Sequence, residues 1–88
     1  MSKKTNAPVY SHQFGAVRVA VWESKTDEGR MFFNTSLTRS YREKNSEEWK
    51  ESSSFNGLAD LALVREAARL AADFIERREA ALRVAEES

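Results

Sequence analysis

Between Ala16 and Trp22 the side chains change character at almost every step, with Val17, Val19 and Val21 alternating with Ala16, Arg18, Ala20 and Trp22. A period of two places the three valines on one face of a strand, and the β-branched content makes this the clearest strand in the chain. The stretch RMFFNTSLTRSYR, residues 30 to 42, alternates again. One face carries Met31, Phe33, Thr35, Leu37, Arg39 and Tyr41, and the other carries Arg30, Phe32, Asn34, Ser36, Thr38, Ser40 and Arg42. This pattern predicts a long strand with one side mostly buried. Its other side, rich in hydroxyl and amide groups, fits the wet face of an antiparallel sheet, and equally a surface that follows phosphates and bases.

Two weaker strands flank these. VYSHQF, residues 9 to 14, gives a faint signal. WKESSSF, residues 49 to 55, places Trp49 and Phe55 on one side and Lys50, Ser52 and Ser54 on the other. Glu51 shares the Trp49 side, which an edge strand or a bulge accommodates. SKTDEG, with Asp27 and Gly29, and REKNSEE, around Asn45 and Ser46, supply the turns. After Asn56, the expected N-cap, the period becomes 3.6, and no Pro or Gly interrupts residues 58 to 87. Two adjacent apolar rows run along this helix. One holds Leu63, Ala67, Leu70, Phe74 and Ala81; the other holds Val64, Ala68, Ala71, Ile75 and Leu82. Thirty helical residues extend ~45 Å, against ~20 Å for an ordinary strand, so the helix overshoots its sheet. Surplus length and a second apolar row point to a partner, most simply a second copy meeting it through Val64, Ala68, Leu70, Ala71, Phe74, Ile75 and Leu82.

The expected architecture is α+β: an antiparallel sheet of three to four strands followed by one long C-terminal helix, dimerising through that helix. Residues 1 to 8 read as a disordered arm ending at Pro8, and residues 9 to 88 as a single domain. Eighty-eight residues without cysteine make one small domain with no disulfide staple, which needs a good core or a partner chain. MSKKTNAP has no apolar stretch behind its lysines and does not read as a secretory signal. No run reaches the ~20 apolar residues of a membrane span. No membrane is therefore expected as a partner, and a bacterial-type cytoplasmic or nucleoid location is the default.

Net charge is zero, but residues 1 to 57 hold nine Lys/Arg and seven Asp/Glu, while residues 58 to 88 hold five and seven. The sheet half is slightly basic. Candidate chemistry is sparse. His12 is the sole histidine, and without cysteine or a second imidazole a zinc site is not expected. Ser52, Ser53 and Ser54 have no neighbouring base, and Gly15, Gly29 and Gly57 are too scattered to cradle a phosphate. The chain reads as a non-enzyme with no metal and no cofactor.

Binding reads better. If Val17, Val19, Val21, Phe33, Leu37, Trp49 and Phe55 face the helix, the far side collects Arg18, Trp22, Phe32, Asn34, Ser36, Thr38, Ser40, Arg42, Lys50, Ser52 and Ser54. Two rings among cations and small polar groups suit a single-stranded nucleic acid, in which bases stack and phosphates pair with cations. A cross-strand pairing of Trp22 with Phe32 is the competing use of the rings.

The segments VRVAVWES, FFNTSLTRSYRE and EWKESSSFNGLADL resemble the superfamily of Whirly, Pur-alpha and positive-cofactor-four proteins, and a group of small bacterial proteins of that type, over about residues 16 to 75. The resemblance implies curved antiparallel sheets that bind single-stranded nucleic acid, and helices that build a dimer. SYREKNSEEWKESSSFNGLAD is also similar to the strand-loop-strand region of bacterial single-stranded DNA-binding proteins with an OB barrel, although that fold continues with strands after its helix. The expected function is binding of single-stranded DNA or RNA with low sequence preference by a homodimer. Arg18, Arg30, Arg42 and Lys50 would contact phosphates, Trp22 and Phe32 would stack, and Asn34, Ser36 and Thr38 would donate hydrogen bonds. The alternative is a regulatory or protein-interaction dimer that touches no nucleic acid.

Overall fold

The computed structural model describes residues 7–87. Four strands, β1 (Tyr10–Phe14), β2 (Val17–Lys25), β3 (Met31–Arg42) and β4 (Trp49–Ser52), precede one helix, α1 (Gly57–Glu87). They form a single antiparallel sheet in the order β1-β2-β3-β4. The expected α+β architecture is therefore present, with the faint first strand fully paired to β2. Most of the expected arm lies outside the described residues; Ala7 and Pro8 have no regular structure.

Local chemistry sets the connections. Gly15 at φ +57° and Ala16 form the two-residue link between β1 and β2, a backbone region open to glycine. The next turn is tighter than SKTDEG, because Ser24 and Lys25 extend β2. It is closed by hydrogen bonds from Thr26 N to Arg30 O (2.8 Å), from Gly29 N to Thr26 O (2.9 Å) and from Arg30 N to the Thr26 hydroxyl (3.0 Å). At the helix start Gly57 adopts φ +70°, so it, rather than Asn56, makes the bend. Asn56 instead donates its backbone N–H to the Asp60 carboxylate (2.9 Å).

The helix lies along β2 on one face of the sheet. Its contact line is Ala67 and Ala71, which meet Val19 and Val21 in a core where these residues are 0–3% exposed. Each apolar row of the sequence contributes one of the two alanines. The rows therefore straddle the sheet contact instead of dividing between sheet and partner, and small side chains at the centre let the helix approach closely. Phe74 stacks on Tyr10 of β1 (5.0 Å between centroids), and Ile75 packs on the core from the opposite flank. Ala71, Phe74 and Ile75, expected at a dimer seam, thus pack against the chain's own sheet. Two ion pairs anchor the ends: Arg39 with Asp60 (3.8 Å), and Arg78 with Glu23 (2.8 Å). Beyond Arg78 the helix runs on largely exposed, as its length predicted.

Candidate nucleic-acid interface

The register assigns each strand residue to a face. Opposite residues of an antiparallel pair share a face, and Val19 lies opposite both His12 and Leu37. The helix side therefore carries Tyr10, His12, Phe14, Val17, Val19, Val21, Phe33, Leu37 and Tyr41. The outer side carries Ser11 and Gln13 from β1, Arg18, Trp22 and Ser24 from β2, and Phe32, Asn34, Ser36, Thr38, Ser40 and Arg42 from β3. Seven of the nine expected binding residues, Arg18, Trp22, Phe32, Asn34, Ser36, Thr38 and Arg42, share this one face. Arg30 lies just beyond the start of β3, in the turn closed by Thr26.

Strand β4 reverses the expectation. Trp49 pairs with Arg42 and Lys50 with Tyr41, so Trp49 points outward and Lys50 lies on the helix side. Lys50 is held there by the Glu43 carboxylate and leaves the interface. Ser52 also turns to the helix side, and the strand ends with it; Ser54 and Phe55 follow outside the sheet. Trp49 is 69% exposed, and the Arg42 guanidinium lies 5.4 Å from its ring centroid. Beside this pair Arg42, Asn45, Ser46 and Glu47 line a shallow, open hollow. Glu51 is the outward carboxylate of β4, opposite Ser40.

The outer face thus has a ring at each end. Trp22 and Phe32 lie diagonally across β2 and β3, each opposite a small polar residue, Asn34 and Ser24. No ring contact joins them among the described residues, and Phe32 is 39% exposed. Trp22 is half-buried, so its neighbours on this face cover part of its ring. From Phe32 to Arg42 the strand extends ~34 Å at its usual rise, with Asn34, Ser36, Thr38 and Ser40 between.

Charges differ between the faces. On the helix side Arg39 and Lys50 have carboxylate partners, as does Arg78 on the helix itself. Among the described residues Arg18, Arg30 and Arg42 have none, and neither does Lys25 at the end of β2 on the helix side. On the solvent side of α1, Arg69 binds Glu66 (2.5 and 3.1 Å) and Asp73 (3.1 Å). The hydrogen bond from Arg69 holds the Glu66 carboxyl below the ordinary carboxylate range. A lowered folded-state value contributes stability that is present above the unfolded value and is lost as pH falls through the folded one. Thermal unfolding of Arg69→Met should therefore fall slightly below that of the unmutated chain near neutrality and converge with it in acid. A gap that persists at the acid end would assign the role of Arg69 to packing.

No group of His, Cys, Asp or Glu suited to a metal occurs among the described residues, nor does any described helix have the length and apolarity to cross a membrane. Comparisons with protein families, with curated proteins and with solved structures give no match.

Proposed function

We propose that the chain binds single-stranded DNA or RNA, with little sequence preference, across the outer face of its sheet, and that it does so as a pair of identical copies. The observation that carries this reading is the placement of partnerless arginines beside exposed rings on one face. Arg39 and Lys50 on the helix side are neutralised by carboxylates, whereas Arg18 and Arg42 share the outer face with exposed rings and have no such partner. Rings stack on any base, and hydroxyl groups accept or donate to several, so this composition favours affinity over sequence readout. The resemblance to the Whirly superfamily implies the same ligand class.

Pairing of copies is supported by the small core. Among the described residues the buried apolar ones are three valines and three alanines, Val17, Val19, Val21, Ala20, Ala67 and Ala71, while Leu58 and Leu61 remain exposed. The radius of gyration, 16.0 Å, exceeds the ~12 Å expected of a compact chain of this length. On the helix, Val64, Ala68 and Ile75 form the flank turned away from β1, and Ala68 is exposed.

Fluorescence anisotropy with labelled single-stranded oligonucleotides at several salt concentrations tests the ligand. Each phosphate contact on a single strand contributes about 0.7 to the slope of log affinity against log salt. Arg18→Ala and Arg42→Ala should each lower the slope by about that amount, and Lys50→Ala should leave it unchanged. Absence of binding at low salt, or a slope indifferent to both arginines, would turn the case to the interaction-module alternative.

A further inference from the structure

The backbone hydrogen bonds of β3 leave one of its edges open. Ser40 N donates to Ala16 O and Thr26 N to Arg30 O, both 2.8 Å, and both pairs lie on the β2·β3 register. Antiparallel pairs alternate between bonded and non-bonded, so even-numbered residues of β3 point their N–H and C=O groups at β2. The groups of Met31, Phe33, Thr35 and Leu37 point the other way. Strand β4 covers that side only opposite residues Arg39 to Arg42. Among the described residues nothing pairs with the eight-residue edge from Met31 to Thr38.

This edge lacks the usual protection. MFFNTSLT contains no charge and no proline, whereas exposed edges are ordinarily blunted by lysine, proline or a bulge. It is also complementary to itself. Under a two-fold axis at Asn34, Met31 meets Leu37 and Phe33 meets Thr35 on the helix side, while Phe32 meets Ser36 on the outer side. Every bonded pair then joins residues with free backbone groups, no like charges oppose one another, and the pairing stays clear of β4. The helix flank of Val64, Ala68 and Ile75 faces this same side, because Phe74 on the other flank rests on β1. With each helix above its β2, three strand spacings of ~4.8 Å separate the two axes by ~14 Å, wider than direct helix packing. Phe33 and Leu37 of both copies would form the floor between the two flanks.

We infer that two copies join along β3, edge to edge and antiparallel, into one eight-stranded sheet whose outer faces form a continuous nucleic-acid surface. The inference rests on the proposed pairing of copies and replaces a helix-only seam with a sheet seam. Thr35 is the cleanest probe, since its side chain is exposed and the register turns its N–H away from β2. Sedimentation velocity of the unmutated chain should give twice the 10.0 kDa monomer mass. Thr35→Pro, which removes the edge donor, and Thr35→Lys, which brings two cations near the axis, should both sediment as folded monomers by circular dichroism. Amide exchange at Phe33, Thr35 and Leu37 should be protected in the unmutated dimer. A monomer at 100 μM for the unmutated chain would overturn both the pairing and the seam. A dimer whose Thr35 N–H exchanges as fast as an open edge would overturn the seam alone, and this measurement decides even where a variant fails to fold. Dissociation of that dimer by Ala68→Glu would then assign the contact to the helix flank.

Discussion

Val19→Asp is expected to leave the chain without a cooperative unfolding transition. Val19 is fully buried at the middle of β2, between His12 and Leu37 on the neighbouring strands and beneath Ala67 and Ala71. Neither strand residue opposite it, His12 or Leu37, is a lysine or arginine, and a buried charge without a full ionic partner costs several kcal/mol. A domain of this length has only ~4–13 kcal/mol of total stability. The buried cluster around Val19, made of Val21, Ala67 and Ala71, is ringed only by partly exposed side chains such as Phe33, Leu37 and Phe74. Val19→Ala is the graded version. It removes two carbon groups at ~0.8 kcal/mol each and should lower the melting temperature by roughly 6–13 °C at 4–8 °C per kcal/mol. Thermal melts followed by far-UV circular dichroism check both. A sharp Val19→Asp transition near that of the unmutated protein would show that this cluster does not hold the fold.

The second large effect is on ligand affinity. Trp49→Ala, Trp22→Ala and Phe32→Ala should each weaken binding of a single-stranded oligonucleotide by ~1–3 kcal/mol, about five- to 150-fold, while the salt slope stays as it was. Trp49 is the most informative of the three. Its ring is mostly solvent-exposed, so its removal leaves the core intact, and any loss of affinity reflects the ligand. With Trp22 replaced by Phe, quenching of the remaining Trp49 emission on binding reports directly on that end of the sheet. Full affinity in folded Trp49→Ala would remove the β4 corner from the interface, and full affinity in all three variants would remove stacking from the mechanism.

Reading this chain without its structure succeeds where side chains repeat and fails where one loop sets the outcome. The valines of β2 and the alternation of β3 define two faces over residues 17 to 22 and 31 to 42, and those assignments agree with the register. Strand β4 has only four residues, Trp-Lys-Glu-Ser, with no apolar alternation to fix its orientation. Its faces are set by the connection from Arg42 to Trp49, six residues that include Asn45 at φ +68°. One residue more or fewer in that loop would exchange Trp49 with Lys50, because a shift by one turns every side chain of a strand over. Composition does not carry that parity. The helix was legible in extent, but not in which row faces the sheet. Ala67 and Ala71 look like the least important apolar residues by size. They occupy the centre because close backbone approach to the valines is available only there.

The strand order β1-β2-β3-β4 also governs how this molecule reaches its folded state. Each strand pairs only with its immediate neighbours in the chain, so each hairpin closes a short loop, and loop closure at that separation is entropically mild. The one distant association is the docking of Ala67 and Ala71 onto Val19 and Val21, about fifty residues away. Hairpin formation belongs to microseconds, and docking is the step that must wait for both layers. Substitutions at the alanine contact line should therefore change the speed of folding, whereas those in the helical overhang beyond Arg78 should leave it untouched.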